Sequence, residues 1–100
     1  MRIIARRTLL TFAAKNPAAK PALLRWAALV ESACWTKMAD VTGALSSAKT
    51  LSAERARFEV SGGDFRLIAA FDFRRQIVFV KFLGTHAEYD RVDAATVAQF

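Results

Sequence analysis

The chain has few of the residues that form covalent or metal-ion cross-links. It contains one cysteine, Cys34, and one histidine, His86, among its 100 residues. A single cysteine excludes an internal disulfide, and one cysteine with one histidine are too few soft ligands for a zinc site. The sequence therefore predicts no metal and no cofactor, and it suits a reducing compartment such as the cytoplasm.

Long apolar runs are also absent. Charged or polar groups interrupt every apolar stretch before it reaches the roughly 20 residues that a membrane-spanning helix requires. Residues 1–15 are basic and apolar like a transit peptide, but Arg6 and Arg7 interrupt them and no small-residue cleavage site follows an apolar core. We therefore expect a soluble chain without a targeting segment.

Acidic residues are few compared with basic ones. Fifteen Lys and Arg stand against nine Asp and Glu, which gives a formal net charge of +6. This excess favours a polyanionic or acidic partner, and nucleic acid, an acidic protein and an anionic membrane all fit it. Because 100 residues, 54% of them hydrophobic, suffice for one packed core and not for two, we predict a single domain over residues 1–100.

The first third of the chain has helical periodicity. The two isoleucines at positions 3 and 4 suit a short initial strand, and a helix is predicted over residues 6–15, where Asn16-Pro17 stops it. A second helix is predicted from Pro21, because apolar residues recur after it at helical spacing. This apolar stripe consists of Leu23, Trp26, Ala27, Val30 and Cys34.

The rest of the chain changes to the two-residue period of β-strands. Residues 35–50 are less periodic and are predicted to form a loop with one helical turn around residues 40–45. Three strands follow, joined by a glycine-rich turn at residues 61–64 and by a charged turn at Arg74-Arg75. They cover residues 57–60, 65–73 and 76–83. Helices followed by strands predict an α+β fold, a three-stranded antiparallel meander backed by helices.

Candidate acid-base residues lie directly behind the last predicted strand. The run Gly84-Thr85-His86-Ala87-Glu88-Tyr89-Asp90 holds the only histidine and the only tyrosine of the chain. Imidazole titrates closest to neutral pH, and a phenol three residues away can exchange a proton where water is excluded. Acid-base chemistry in this chain would have to involve this run.

Several segments together resemble the HigB family of toxin–antitoxin toxins. The matching segments are Met1–Leu9, Phe58–Val60 with Gly62, Asp64–Ile68, Val78–Phe82 and the specific run Gly84–Asp90. The resemblance extends over nearly the whole chain. It implies a RelE-like fold, in which a small antiparallel sheet of three to four strands carries the N-terminal helices on one face.

The resemblance also implies an activity and partners. Proteins of this kind are expected to be cytoplasmic, ribosome-dependent endoribonucleases that cut messenger RNA and so inhibit translation. The implied partners are messenger RNA on the ribosome and a cognate HigA-like helix-turn-helix antitoxin, with no membrane involved. Cleavage is expected to be metal-independent, because RNA supplies its own nucleophile in the 2′-hydroxyl. A metal-dependent nuclease is disfavoured, since no cluster of carboxylates accompanies the histidine.

Three residues receive catalytic roles from the resemblance. In RelE-like toxins an arginine on the middle strand contacts the scissile phosphate, and the DFRL motif assigns that role to Arg66. Their places in the GTHAEYD run assign proton transfer to His86 and Tyr89. Each has an alternative: the histidine can cap the strand end, the tyrosine can seal the sheet edge or stack on a base, and the arginine can pair with Glu59 or Asp72.

Further cations are predicted near this site. Arg55, Arg57 and Lys81 are expected to bind RNA, because cations in a groove neutralise phosphates and make binding weaken with salt. The pair Arg74-Arg75 is interpreted as solvated turn residues, since charge at a hairpin tip favours solubility.

Four positions near the predicted site depart from the family pattern. Ser52 and Ser61 stand where lysine is common, and Glu59 and Gly63 stand where asparagine is common. Fewer cations and an added carboxylate near the RNA path are expected to weaken cleavage, to shift its sequence preference or to mark an inactive toxin. A second hypothesis is therefore kept open, in which the chain is a non-catalytic basic RNA- or protein-binding module on the same fold, with His86 in a structural role.

Overall fold

Four α-helices and five β-strands make up the chain, and a computed structural model describes all residues from 1 to 100. In chain order they are β1 Arg2–Ile4, α1 Arg6–Lys15, α2 Lys20–Ser32, α3 Met38–Ala44, β2 Ala48–Thr50, β3 Arg55–Val60, β4 Phe65–Asp72, β5 Ile77–Thr85 and α4 His86–Tyr89. Two short 3-10 turns, Pro17–Ala19 and Ser61–Gly63, connect α1 to α2 and β3 to β4. The α+β class is confirmed.

The two long helices form where the apolar stripes predict them. α1 ends at Lys15, after which the backbone and side-chain nitrogens of Asn16 both donate to the carbonyl oxygen of Phe12, at 2.8 and 3.2 Å. α2 has Pro21 in its first turn, where a missing amide proton costs no helical hydrogen bond. The buried residues of the two helices are Leu9, Ala13, Leu23, Trp26, Ala27 and Val30.

The predicted stripe of α2 is wrong at its last member. The helix ends at Ser32, and Ala33 is extended with φ −83° and ψ 154°, so Cys34 lies beyond the helix and is exposed. Trp35 is buried instead, and its ring packs against Phe71 with centroids 6.1 Å apart. The apolar period continues to position 34, but the backbone leaves the helix after Ser32.

The five strands form one mixed sheet in the order β1-β5-β4-β3-β2. The antiparallel meander of β3, β4 and β5 is confirmed. β1 adds in parallel beside β5, and β2 adds in antiparallel fashion beside β3, so the sheet has five strands rather than the three to four predicted. β2 escapes sequence prediction because it has three residues, none of them buried.

One face of the sheet packs against the helices and forms the core. Phe58, Leu67 and Leu83 point to this side and are at most 2% exposed. Trp26 of α2 meets Phe58 edge-on, with ring centroids 5.5 Å apart. Apolar side chains from helices and strands thus lose their contact with water together, which is the main favourable term in folding.

The opposite face of the sheet, called here the open face, carries the alternate residues of β3, β4 and β5. Arg57, Ile68 and Phe82 lie side by side on it. The register between β4 and β5 shifts after Ile68, which leaves Lys81 as the extra residue of a β-bulge and keeps Phe82 on the open face. Ile68 is completely buried and Phe82 is 3% exposed, and Tyr89 of α4 packs against Phe82. None of the helices combines the length and the apolar character needed to cross a bilayer.

Candidate functional site

Arg66 is the one charged residue that is buried, with 7% of its surface exposed. It lies on β4, the middle strand, and its Nη1 donates to the carbonyl oxygens of Gly63 and Phe65, the second at 3.3 Å. Its Nε has no hydrogen-bond partner. A buried donor without a partner costs free energy unless a ligand satisfies it, so Arg66 retains capacity for an anion.

Glu59 stands directly opposite Arg66 on the neighbouring strand β3. Its Oε1 lies 3.8 Å from Nη2 of Arg66 and 3.9 Å from Nη2 of Arg57. Both distances suit an ion pair and exceed a hydrogen bond. Two guanidinium groups share one carboxylate, which leaves an excess positive charge, and the Nε of Arg57 is also buried without a partner. Of the two carboxylates predicted as partners of Arg66, Glu59 is the one in contact, because Asp72 pairs with Arg75 at 3.5 Å.

The turn before β4 makes room for the Arg66 side chain. Ser61, Gly62 and Gly63 all have positive φ angles, of 54°, 69° and 97°. A Cβ on Gly63 would sit 3.4 Å from Nη1 of Arg66, in addition to the strain that a side chain meets at this φ. The glycine pair predicts a turn from sequence, but its role beside the arginine follows only from the fold.

Tyr89 joins the arginine cluster through its ring. The guanidinium of Arg57 lies 5.5 Å from the centre of the Tyr89 ring, within the range of a cation–π contact. The same ring packs against Phe82 with centroids 6.1 Å apart. Arg57, Glu59, Arg66 and Tyr89 therefore form one continuous cluster on the open face.

His86 lies outside that cluster. It is the first residue of α4, its side chain is 56% exposed, and its Nδ1 is 3.1 Å from Oδ2 of Asp90. Only its backbone approaches the Arg66 turn, because the His86 amide donates to the carbonyl oxygen of Asp64 at 3.1 Å. The imidazole makes no hydrogen bond or ion pair with either arginine.

A capping box holds α4 at the end of β5. The Thr85 hydroxyl accepts from the amide of Glu88 at 3.1 Å, while the Glu88 carboxylate accepts from the amide of Thr85 at 2.9 Å. The hydrogen bond from the Thr85 backbone, strengthened by one from its side chain, holds the pKa of Glu88 below its ordinary value. This part of the GTHAEYD run thus fixes the start of the helix that carries His86 and Tyr89.

The other predicted cations are arranged differently. Arg55 donates through Nη1 to the carbonyl oxygens of Ala94 and Val97, at 3.1 and 2.8 Å. Nζ of Lys81 lies 5.3 Å from the centre of the Phe79 ring. Of the three arginines and lysines predicted to bind RNA, only Arg57 contacts the cluster around Arg66. No three His, Cys, Asp or Glu side chains come together as a set of metal ligands.

The charged cluster could be predicted from the sequence only in part. The motifs point to Arg66 and Tyr89, whereas the sequence presents Glu59 only as a departure that adds negative charge near the RNA path. The structure makes it the shared counter-ion of Arg57 and Arg66. The available signal was the strand period, which puts positions 57, 59 and 66 on one face once the hairpin register is known.

Comparison with known proteins identifies the family to which this site belongs. A family model described as HigB_toxin, the RelE-like toxic component of a toxin–antitoxin system, matches residues 19–92, about three quarters of the chain. A search of the curated proteins found no match. The matched residues include the middle strand with Arg66, the Arg57–Glu59 strand and the GTHAEYD run. The chain therefore belongs to the HigB family of RelE-like toxins, the toxic components of toxin–antitoxin systems.

Proposed function

We propose that the chain is a ribosome-dependent endoribonuclease that cuts messenger RNA and thereby inhibits translation. The observation that supports this most is Arg66, a buried guanidinium with an unpaired Nε on the middle strand of a toxin fold. A buried cation of this kind is costly unless it binds an anion, and the scissile phosphate of RNA is the anion that the family implies.

The proposed reaction begins with the phosphate between Arg66 and Arg57. The 2′-hydroxyl oxygen of the preceding nucleotide attacks phosphorus, the bond from phosphorus to the 5′-oxygen breaks, and the products are a 2′,3′-cyclic phosphate and a free 5′-hydroxyl. Charge that develops on the phosphoryl oxygens is stabilised by preorganised guanidinium donors, which is the largest single contribution in many enzymes.

The 2′-hydroxyl proton needs an acceptor close to the phosphate. The Glu59 carboxylate is the nearest candidate, because it lies 3.8 Å from the guanidinium that binds the phosphate and is 45% exposed. When the scissile phosphate takes the place of Glu59 beside Arg66, the 2′-hydroxyl of the preceding nucleotide comes close to the displaced carboxylate. Glu59 would then act as the general base.

The leaving 5′-oxygen needs a proton donor, and His86 and Tyr89 are the proposed donors. Asp90, 3.1 Å from Nδ1 of His86, fixes the orientation of the imidazole, and the second ring nitrogen has no hydrogen-bond partner within the chain. Tyr89 lies closer to the arginines, so its hydroxyl can donate to the phosphate or its ring can stack on a base. His86 reaches the RNA from the edge of the site.

The departures at Ser52 and Ser61 are proposed to lower the activity. Ser61 donates to the carbonyl oxygen of Ala18, and Ser52 accepts from the amide of Glu54, so neither supplies a cation. Arg57, Arg66 and Lys81 are then the main positive groups available to the RNA path, joined by Arg55 when it is released from its present partners.

The proposed partners follow from the family and the charge. A toxin component has an antitoxin, and we propose an antitoxin of the HigA-like helix-turn-helix type. The net charge of +6 suits both messenger RNA on the ribosome and an acidic protein surface. We place the reaction in the cytoplasm, where ribosomes and messenger RNA are found.

The second candidate function is a basic RNA- or protein-binding module without turnover. One observation favours it: the His86 side chain faces solvent, pairs with Asp90 and contacts neither arginine. In this case Arg57 and Arg66 would bind phosphates, and His86 would only fix the start of α4.

Expression under tight control separates the two functions. Wild type, Arg66→Ala, His86→Ala and Tyr89→Ala are induced in cells, growth is followed, and the 5′ ends of messenger RNA are mapped. Arg75→Ala is the matched control, because this arginine is 75% exposed at the distant hairpin tip. The proposal predicts growth arrest with new 5′ ends for wild type and the control, and loss of both for Arg66→Ala. Equal arrest by wild type and all three site variants would sink the catalytic assignment.

A further inference from the structure

The residues that follow α4 bind back onto the open face. We call residues 93–100 the strap. On the β3 side, Arg55 donates through Nη1 to two strap carbonyls, those of Ala94 at 3.1 Å and Val97 at 2.8 Å. Arg55 is one of the residues predicted to contact RNA, and the strap carbonyls take up the N–H groups of its Nη1.

The other end of the strap is fixed to the far edge of β5. The backbone amide of Gln99 donates to the carbonyl oxygen of Lys81 at 2.9 Å, and the amide of Leu83 donates to Oε1 of Gln99 at 2.8 Å. β1 pairs only with Ile77–Phe79, so these backbone groups of β5 lie beyond it. Because β4 separates β3 from β5, the strap spans the open face from Arg55 to that edge.

Few buried residues hold the strap. None of its eight residues is buried, so it contributes little buried apolar surface of its own. A cavity of about 430 Å³ lies between α1 and the last two residues of the strap, Gln99 and Phe100. Arg7 and Lys15 of α1 are among the residues that line it. Segments with few buried contacts open locally at low free-energy cost. The family match ends at Val92 and does not include the strap.

We propose that the strap is an autoinhibitory element that competes with RNA for the open face. The inference rests on the proposed function, because it takes that face as the RNA path. While the strap is bound, both N–H groups of Arg55 Nη1 donate to carbonyl oxygens, and only Nε and Nη2 remain for a phosphate. RNA must therefore displace the strap before Nη1 can contact a phosphate, and the strap lowers the affinity for RNA.

The test compares four forms of the protein in binding to a fluorescent single-stranded oligoribonucleotide over a range of potassium chloride concentrations. They are the full chain, a chain ended after Val92, Gln99→Pro and the matched control Thr96→Ala. Proline at 99 removes both the amide donor and the side-chain acceptor, whereas the exposed Thr96 side chain makes no hydrogen bond. Gln99→Pro provides a second way to release the strap if the shortened chain does not fold.

Release of the strap should tighten binding roughly threefold to tenfold, because the full chain binds RNA only in the fraction of molecules whose strap is displaced. It should also add one phosphate contact. One more contact makes the slope of log affinity against log salt steeper by about 0.7 for a single strand. The control should match the full chain, and Arg55→Gln in the shortened chain should remove the added slope. Unchanged or weaker binding with an unchanged slope, in the shortened chain or in Gln99→Pro when folded, would overturn the proposal. If neither the full chain nor the two strap variants binds RNA while the full chain still cuts messenger RNA on ribosomes, the strap proposal fails and the proposed function stands. If the full chain also cuts no messenger RNA on ribosomes, the proposed function itself fails.

Discussion

The two faces of the sheet are built from adjacent residues and are stabilised in different ways. Leu67 on the helix side is fully buried and belongs to the apolar core. Its neighbour Arg66 is almost equally buried on the open face, where carbonyl groups and Glu59 surround its charge. Equal burial therefore has opposite effects on stability. Burial of Leu67 stabilises the folded chain, whereas burial of Arg66 costs free energy because a charged group is removed from water.

The faces also differ in where their partners come from. The helix side is formed by apolar residues that recur at the period of their own helix or strand. On the open face, Arg57 reaches Tyr89 in α4, and Arg55 reaches carbonyl groups around 40 residues later in the chain. The charged residues of the open face thus find their partners in distant segments, whereas the apolar residues of the helix side follow local periodicity. The predictions below test this difference between the two faces.

The largest expected effect is on catalysis at Glu59. Glu59→Gln keeps the size of the side chain and removes the proton acceptor, so we expect the rate of RNA cleavage to fall by about 10²–10⁴. RNA binding should not weaken, because the variant also removes an anion that competes with phosphate for Arg57 and Arg66. Single-turnover rates and RNA affinity are measured against Asp72→Asn, a change at a carboxylate near the other hairpin. An unchanged rate for Glu59→Gln would exclude it as the base.

The next effect concerns stability and distinguishes the two faces directly. Leu67→Ala should lower the free energy of unfolding by about 2–5 kcal/mol, because it leaves a cavity in the core. Arg66→Ala should destabilise the fold less than Leu67→Ala does. It removes favourable contacts, but it also removes the cost of burying a charge. Urea denaturation of both variants measures the difference. A larger loss for Arg66→Ala would mean that its ion pair is a main contributor to stability.

A smaller effect is expected at the turn that makes room for Arg66. Gly63→Ala forces a side chain into a φ of 97° and places its Cβ 3.4 Å from the guanidinium, so we expect about 1–2 kcal/mol of destabilisation. Gly43→Ala is the matched control: it lies in α3 with open space around it, and alanine should be neutral or stabilising there. Thermal unfolding of the two variants compares them. Equal midpoints would show that the turn conformation is not required.

The smallest effect is a pH dependence at the capping box. The pKa of Glu88 is lowered in the folded chain by its hydrogen bonds with Thr85, so its contribution is present above the pKa of the unfolded chain. It is lost as pH falls through the lower folded pKa. Because Glu88 is exposed, the contribution is below about 1 kcal/mol. The difference in unfolding free energy between wild type and Glu88→Gln should shrink from pH 7 to pH 3, and a constant difference would contradict the assignment.

Much of the fold could be predicted from local patterns. α1, the start of α2 and the β3-β4-β5 meander all follow from apolar periodicity and turn residues. Prediction failed where pattern carries little information. β2 is a short exposed edge strand, and the parallel pairing of β1 with β5 joins residues about 75 apart in sequence. Non-local pairing depends on packing that a single sequence does not reveal.

The candidate site was less predictable than the fold. The motif pointed to Arg66 and Tyr89, and the structure brings both into one cluster with Arg57. His86 could be assigned from the motif, but its side-chain direction depends on the short helix α4 and on Asp90. The hydrogen bonds from Arg55 to the strap could not be predicted from the sequence, because backbone carbonyls of any residue type accept from a donor within reach.

The central claim is that the open face cuts RNA and that Arg66 is its main phosphate-binding group. The most direct measurement is the single-turnover cleavage rate of messenger RNA on programmed ribosomes for Arg66→Gln, with Arg75→Gln as the exposed control. We predict a loss of about 10²–10³ for Arg66→Gln, a near wild-type rate for the control, and cooperative unfolding of both. Cleavage by folded Arg66→Gln at the wild-type rate would contradict the account.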